Sequence, residues 1–137
     1  MTEVGATTGK CHCGAISYTA EGPPEHHALC HCEDCRRWSG APAVGWIAWR
    51  DEAVTVTGTP KVYKSSNTGS REFCGECGTG LFYRNATALP GLIDIQSCTL
   101  DDPEALPPGA QIMVKDRLGW TRGMVELPEF RTYPGMD

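Results

Sequence analysis

Seven of the eight cysteines in this 137-residue chain fall into three short runs: Cys11-His12-Cys13, Cys30-His31-Cys32-Glu33-Asp34-Cys35 and Cys74-Gly75-Glu76-Cys77. A chain of this length supports one modest core. Ligands drawn from its start, its first third and its middle therefore dictate which segments must meet. In a secreted chain such a count points to disulfides, and in a cytosolic one to metal or redox chemistry. The opening residues 1–10 are polar and lack the basic-then-apolar pattern of a signal peptide. The chain reads as a single cytoplasmic domain, 1–137, built around metal.

Cys74-Gly75-Glu76-Cys77-Gly78 is the strongest local motif. Two thiolates separated by two residues converge on one ion from a tight turn, and the following glycine supplies the positive φ such a turn needs. Gly9-Lys10-Cys11-His12-Cys13-Gly14 offers a second pair, whose thiols share one side if the segment is extended. A four-cysteine tetrahedron of Cys11, Cys13, Cys74 and Cys77 is the economical structural zinc site, closing a long loop. Buried free cysteines or disulfides are the plain alternative.

The run Cys30-His31-Cys32-Glu33-Asp34-Cys35 is a different object, with Cys32 and Cys35 one helical turn apart. Three protein ligands leave the fourth zinc position open, the arrangement of catalytic zinc. A closed structural site completed by His31, His26, His27 or Cys98 is the other reading. An iron–sulfur cluster fits neither run alone. His12 and His31 read as neighbours of ligands rather than ligands, Cys98 as a buried strand-end residue, and Trp38, Trp46, Trp49 and Trp120 as core, with Trp38 placed to wall a pocket. Arg36 and Arg37 either offset thiolate charge, hold a carboxylate or form a solvated helix face.

With 16 glycines and 10 prolines the chain is rich in turns. Strands are expected at 15–20, 44–49, 54–57, 61–64, 80–84 and 92–97, with 52–64 as a hairpin. The one short helix is expected at 33–39, acidic at its start, basic towards its end and stopped by Gly40. A helical turn after Glu104 and an extended tail after Met124 complete a mostly β, antiparallel reading. The net charge of −5 argues against nucleic acid. Seven thiolates around two zinc ions would deepen it by about −3. No apolar run approaches the roughly 20 residues of a membrane span.

In this order, the motifs resemble the glutathione-dependent formaldehyde-activating enzyme family. The matching residues run from Gly9-Lys10-Cys11-His12-Cys13-Gly14-Ala15-Ile16 through Cys30 to Gly40, then Arg71-Glu72-Phe73-Cys74-Gly75-Glu76-Cys77-Gly78-Thr79 and Thr99-Leu100-Asp101-Asp102-Pro103. Trp120 and Leu127-Pro128-Glu129-Phe130 close the pattern. Cys98 departs from it, standing where the family usually has a small residue. The resemblance implies a zinc-stapled β-tent. It also implies two zinc ions per chain: a structural one on Cys11, Cys13, Cys74 and Cys77, and a catalytic one on Cys30, Cys32 and Cys35. The implied activity is that of a carbon–sulfur lyase joining a small-molecule thiol and an aldehyde, as in S-hydroxymethylglutathione. Arg36, Arg37 or Arg71 would grip a substrate carboxylate. The rival class is a non-catalytic zinc-stapled module that binds a protein partner. A fourth protein ligand at the second zinc would favour that module, and an open position the enzyme.

Overall fold

The computed structural model describes residues 5–136, so residues 1–4 of the polar opening segment and Asp137 lie outside it. Among the described residues, ten strands form two sheets. The smaller has the order β1-β2-β5, from Ala6–Lys10, Ser17–Glu21 and Val54–Thr57. The larger has the order β10-β3-β4-β9-β8-β7-β6. Its strands are Ala110–Ile112, His26–Cys30, Val44–Arg50, Leu92–Gln96, Gly80–Asn85, Gly69–Phe73 and Lys61–Tyr63. All pairings are antiparallel except β10 on β3. The mostly β reading therefore holds, with one parallel edge added. No helix among the described residues is long and apolar enough to cross a membrane.

The expected 52–64 hairpin does not form. β5 pairs with β2 in the small sheet, whereas β6 pairs with β7 at the far edge of the large one. The turn at Gly58-Thr59-Pro60 passes the chain between sheets, and each strand finds its partner elsewhere. No helical turn forms directly after Glu104; 3-10 helices come later, at Val114–Asp116 and Gly119–Glu126. The tail expected to be extended after Met124 is therefore helical to Glu126, and residues 127–136 hold neither helix nor strand. Four strands carry no clear sequence signal. β7 is the instructive case, because its Gly-Ser-Arg-Glu-Phe run reads as polar surface although Gly69 and Arg71 are buried.

β4 explains the interior. It lies between β3 and β9, so both its edges are paired, and its two faces are covered by separate apolar clusters, which is why its sequence is nearly all apolar. Side chains alternate across the sheet. Ile47 and Trp49 join Tyr18, Ala20, Phe82, Ile93 and Ile95 in the main core. Val44 and Trp46 go to a second cluster with Cys30 and Cys35. The helix α1, Glu33–Ser39, packs on that second face. Cys32 caps its start, accepting the Cys35 N–H at 3.3 Å. Gly40 ends it at φ 72°, donating its N–H to the Arg36 carbonyl at 2.7 Å.

Candidate metal centres

Two cysteine clusters stand apart in the fold, and either could hold a metal ion. Cys11 and Cys13 sit on the turn from β1 to β2, and Cys74 and Cys77 on the turn from β7 to β8. The first cluster thus joins one end of the small sheet to one end of the large one. Residues 11–14 form a turn, not the extended segment that would put both thiols on one side of a strand. Convergence comes from backbone bonds: the Gly14 N–H donates to the Cys11 carbonyl at 3.1 Å, and the Gly78 N–H to the Cys74 carbonyl at 2.8 Å. Both glycines have positive φ, 82° and 83°.

The sulfur geometry fits a tetrahedral ion. Thiolates held about 2.3 Å from one metal stand about 3.8 Å apart. Cys13 Sγ lies 3.7 Å from the sulfurs of both Cys11 and Cys74, and all four fall within 4.8 Å of one another. A disulfide would need about 2.05 Å, and all eight cysteines are free. Backbone N–H groups of Ile16 and Glu76 donate to Cys11 and Cys74 at 3.3 and 3.4 Å. The Thr79 hydroxyl and N–H draw the Cys77 thiol down to about 5.

The second cluster lies on the opposite face of the large sheet. β3 ends at Cys30, the chain turns through Cys32, and α1 brings Cys35 back. The sulfurs of Cys30 and Cys35 are 3.6 Å apart. No fourth histidine, cysteine, aspartate or glutamate among the described residues joins this set. None of the eligible residues has a ligand atom grouped with the three sulfurs, although His27 Nε2 and His31 Nδ1 are buried with no hydrogen-bond partner among the described residues. His31 bonds Gln111 Oε1 through Nε2 at 2.8 Å, and His27 Nδ1 meets the Leu106 carbonyl at 2.7 Å. His26 is exposed at the start of β3. Cys98, expected to be buried, is exposed on the short 3-10 turn Ser97–Thr99.

An aromatic and cationic shell surrounds Cys35. The Trp46 indole N–H donates to its sulfur at 3.3 Å, and both terminal nitrogens of Arg71 lie 3.8 Å from it. The Arg71 guanidinium sits 4.9 Å from the Tyr83 ring centroid and 5.9 Å from those of Trp38 and Trp46. The hydrogen bond between the Cys30 and Cys35 sulfurs is the main cause holding the Cys35 thiol down at about 5, aided by Cys32, Trp46 and the Arg71 charge against burial. The same bond pushes Cys30 up. Trp38 stacks on Tyr63, centroids 5.7 Å apart, and meets Phe73 edge-on. It walls a cavity of about 290 Å³ that Arg71, Arg37, Asp34, Tyr63 and Ser65 also line.

The arginines sort themselves. Arg37 pairs with Glu33 at 2.7 Å on the exposed side of α1, and Arg36 donates Nε–H to the His31 carbonyl at 3.3 Å. It is Arg71, not the helix pair, that meets a thiol. Tyr83 and Asp94 share this face and were not singled out by sequence, while Trp46, expected in the core, is buried there and also donates to a thiol. Asp94 alone had a usable signal, an acid inside the apolar run Leu92-Ile93-Asp94-Ile95. Trp120, expected in the core, is exposed.

The model of the glutathione-dependent formaldehyde-activating enzyme family matches residues 6–116. Trp120 and Leu127-Pro128-Glu129-Phe130 fall beyond that stretch. An uncharacterized lyase of Schizosaccharomyces pombe is 30% identical over 110 residues, covering 70% of this chain and 80% of its own. The crystal structure of a Rhodobacter sphaeroides protein superposes with a TM-score of 0.61 at 23% identity, over 76% of this chain and 98% of that one, a likeness of fold. Both cysteine clusters lie inside the matched stretch, and the chain belongs to the glutathione-dependent formaldehyde-activating enzyme family.

Proposed function

We propose that this chain is a zinc-dependent carbon–sulfur lyase-type enzyme acting on the adduct of a small thiol and an aldehyde, such as S-hydroxymethylglutathione. Cys11, Cys13, Cys74 and Cys77 would hold a structural zinc, and Cys30, Cys32 and Cys35 a catalytic one. The observation that carries the reading is the second cluster. It offers three thiols, no fourth protein donor among the described residues, and a nearby cavity lined by Arg71, which contacts the Cys35 sulfur. The family and the lyase-named relative support the reaction class.

Zinc bound by three thiolates would supply a Lewis-acidic position that keeps a substrate thiol ionised near neutral pH. In the synthetic direction the substrate sulfur attacks the aldehyde carbon and a carbon–sulfur bond forms. The carbonyl π electrons pass to oxygen, which takes up the proton the thiol has lost. The lyase direction breaks that bond and returns the proton to sulfur. The protein's own part is electrostatic and steric. Trp46 and Arg71 donate to Cys35 and spread its charge, while Trp38 and Tyr63 form an aromatic wall where the substrate body would lie.

The test follows formaldehyde consumption by glutathione, and by other small thiols, above the uncatalysed rate using fully zinc-loaded protein. Acceleration with at least one thiol is expected. A flat result for every thiol would move the chain to the class of zinc-stapled binding modules.

A further inference from the structure

Arg71 is only 5% exposed, and among the described residues no carboxylate lies within ion-pairing distance of it. A buried cation without an anion is strongly unfavourable. The hydrogen-bond acceptor it does have is the Cys35 sulfur, reached by both terminal nitrogens at 3.8 Å. Three rings enclose it: Tyr83 from β8, Trp46 from β4 and Trp38 from α1. Their negative faces hold the guanidinium in place and keep water from screening its charge. The anion this cation was folded to meet is therefore the sulfur cluster itself.

The inference rests on the reading of Cys30, Cys32 and Cys35 as a zinc site. A divalent ion with three thiolates carries one net negative charge. A neutral fourth ligand leaves that charge unchanged, whereas a thiolate raises it to two. In a partly buried, apolar setting the second negative charge is the costly one. We propose that Arg71 is the positioning residue that selects an anionic fourth ligand at this centre, a substrate thiolate, over neutral donors. Arg36 and Arg37 do not share the role. Arg36 is spent on the His31 carbonyl and Arg37 on Glu33.

The test replaces zinc with cobalt(II), whose near-ultraviolet absorption rises with each thiolate bound. The first cluster, closed by four cysteines, gives a constant background. Wild-type protein and Arg71→Met, each loaded with two ions, are titrated with glutathione and, separately, with imidazole as a neutral donor. The expected result is at least a tenfold weaker response to glutathione in Arg71→Met, with imidazole binding unchanged and Arg71→Lys close to wild type. Losses of equal size for both ligands, or none, overturn the assignment of Arg71 alone. A wild-type spectrum that ignores glutathione yet answers imidazole removes the thiol-adduct reading and this inference with it. If Arg71→Met does not fold, Arg71→Gln is read in its place. Loss of both neutral variants beside a folded, glutathione-binding Arg71→Lys supports the charge requirement. Failure of all three assigns Arg71 to shape and overturns the proposal.

Discussion

Asp94 is buried on the same sheet face as Arg71, between the register partners Ala48 and Tyr83, and its Oδ1 has no hydrogen-bond partner among the described residues. Burial raises its carboxyl to about 6, against the charge of His26, with the Cys35 thiolate adding to the rise. A raised acid binds its proton more tightly in the folded state. Stability is therefore full below the ordinary carboxylate range and is lost as pH climbs from about 4 through 6. The loss is on the order of 3 kcal/mol, since each pH unit in that window is worth about 1.4 kcal/mol. Asp94→Asn should remove the penalty. Thermal unfolding should place the variant several degrees above wild type at pH 8, with the gap closing towards pH 4. A constant gap across that range would mean that Asp94 does not titrate there. At this scale the sequence is a mixed guide. The metal-ligand candidates are legible because cysteine is rare and its spacing is chemical. Arg71 is not, because a strand whose polar residue is buried against rings looks like a strand whose polar residue faces water.

At the scale of elements, the two clusters bind different things together. The first links the β1–β2 turn to the β7–β8 turn across the two sheets, whereas the second joins the end of β3 to the helix that follows it directly. A structural zinc contributes on the order of 10 kcal/mol, comparable to the whole stability of a domain this size. Cys74→Ser should therefore give insoluble or unfolded protein. An ion at the second cluster closes only a short loop, so Cys30→Ser should leave a folded chain with about one zinc and no activity. Soluble yield, unfolding curves and zinc content compare the two. If Cys30→Ser unfolds as badly as Cys74→Ser, the second centre is structural. A quieter test concerns the seat of α1. A Cβ on Gly80 would stand 2.8 Å from the Trp38 indole nitrogen and 2.5 Å from the Gln96 amide nitrogen. Gly80→Val should push Trp38 off β8 and weaken metal at the second cluster roughly tenfold, a shift of about 1.4 kcal/mol, while the first cluster keeps its ion. Competition with a chromophoric chelator reads both steps. Equal affinity at the second cluster in variant and wild type would show that α1 does not depend on that contact. The helix was legible to the residue, Glu33–Ser39, because acidic start, basic end and glycine stop all agree. The 52–64 hairpin was misread because adjacency along the chain and a good turn do not decide pairing when each strand has a better-matched partner further away.

For the whole molecule, elemental analysis should find about two zinc ions per chain and no visible absorption from an iron–sulfur cluster. One ion, or iron with a charge-transfer band, would contradict the two-centre reading. The mostly β class, the turn-rich connections, the helix and the short cysteine runs that feed the two clusters were set by local chemistry: alternation, propensity and spacing act over a few residues. Which turn meets which was not. That Cys13 reaches Cys74 is foreshadowed by ligand count alone, while the assignment of β5 and β6 to different sheets emerges only from packing. The same is true of the fourth ligand. Cys98 and three histidines were all eligible by composition, and the fold alone turned them away. The cage of Trp38, Trp46 and Tyr83 around Arg71 gathers α1, β4, β8 and β7. Contacts between segments so distant in sequence depend on register and sheet order, which are properties of the folded chain as a whole.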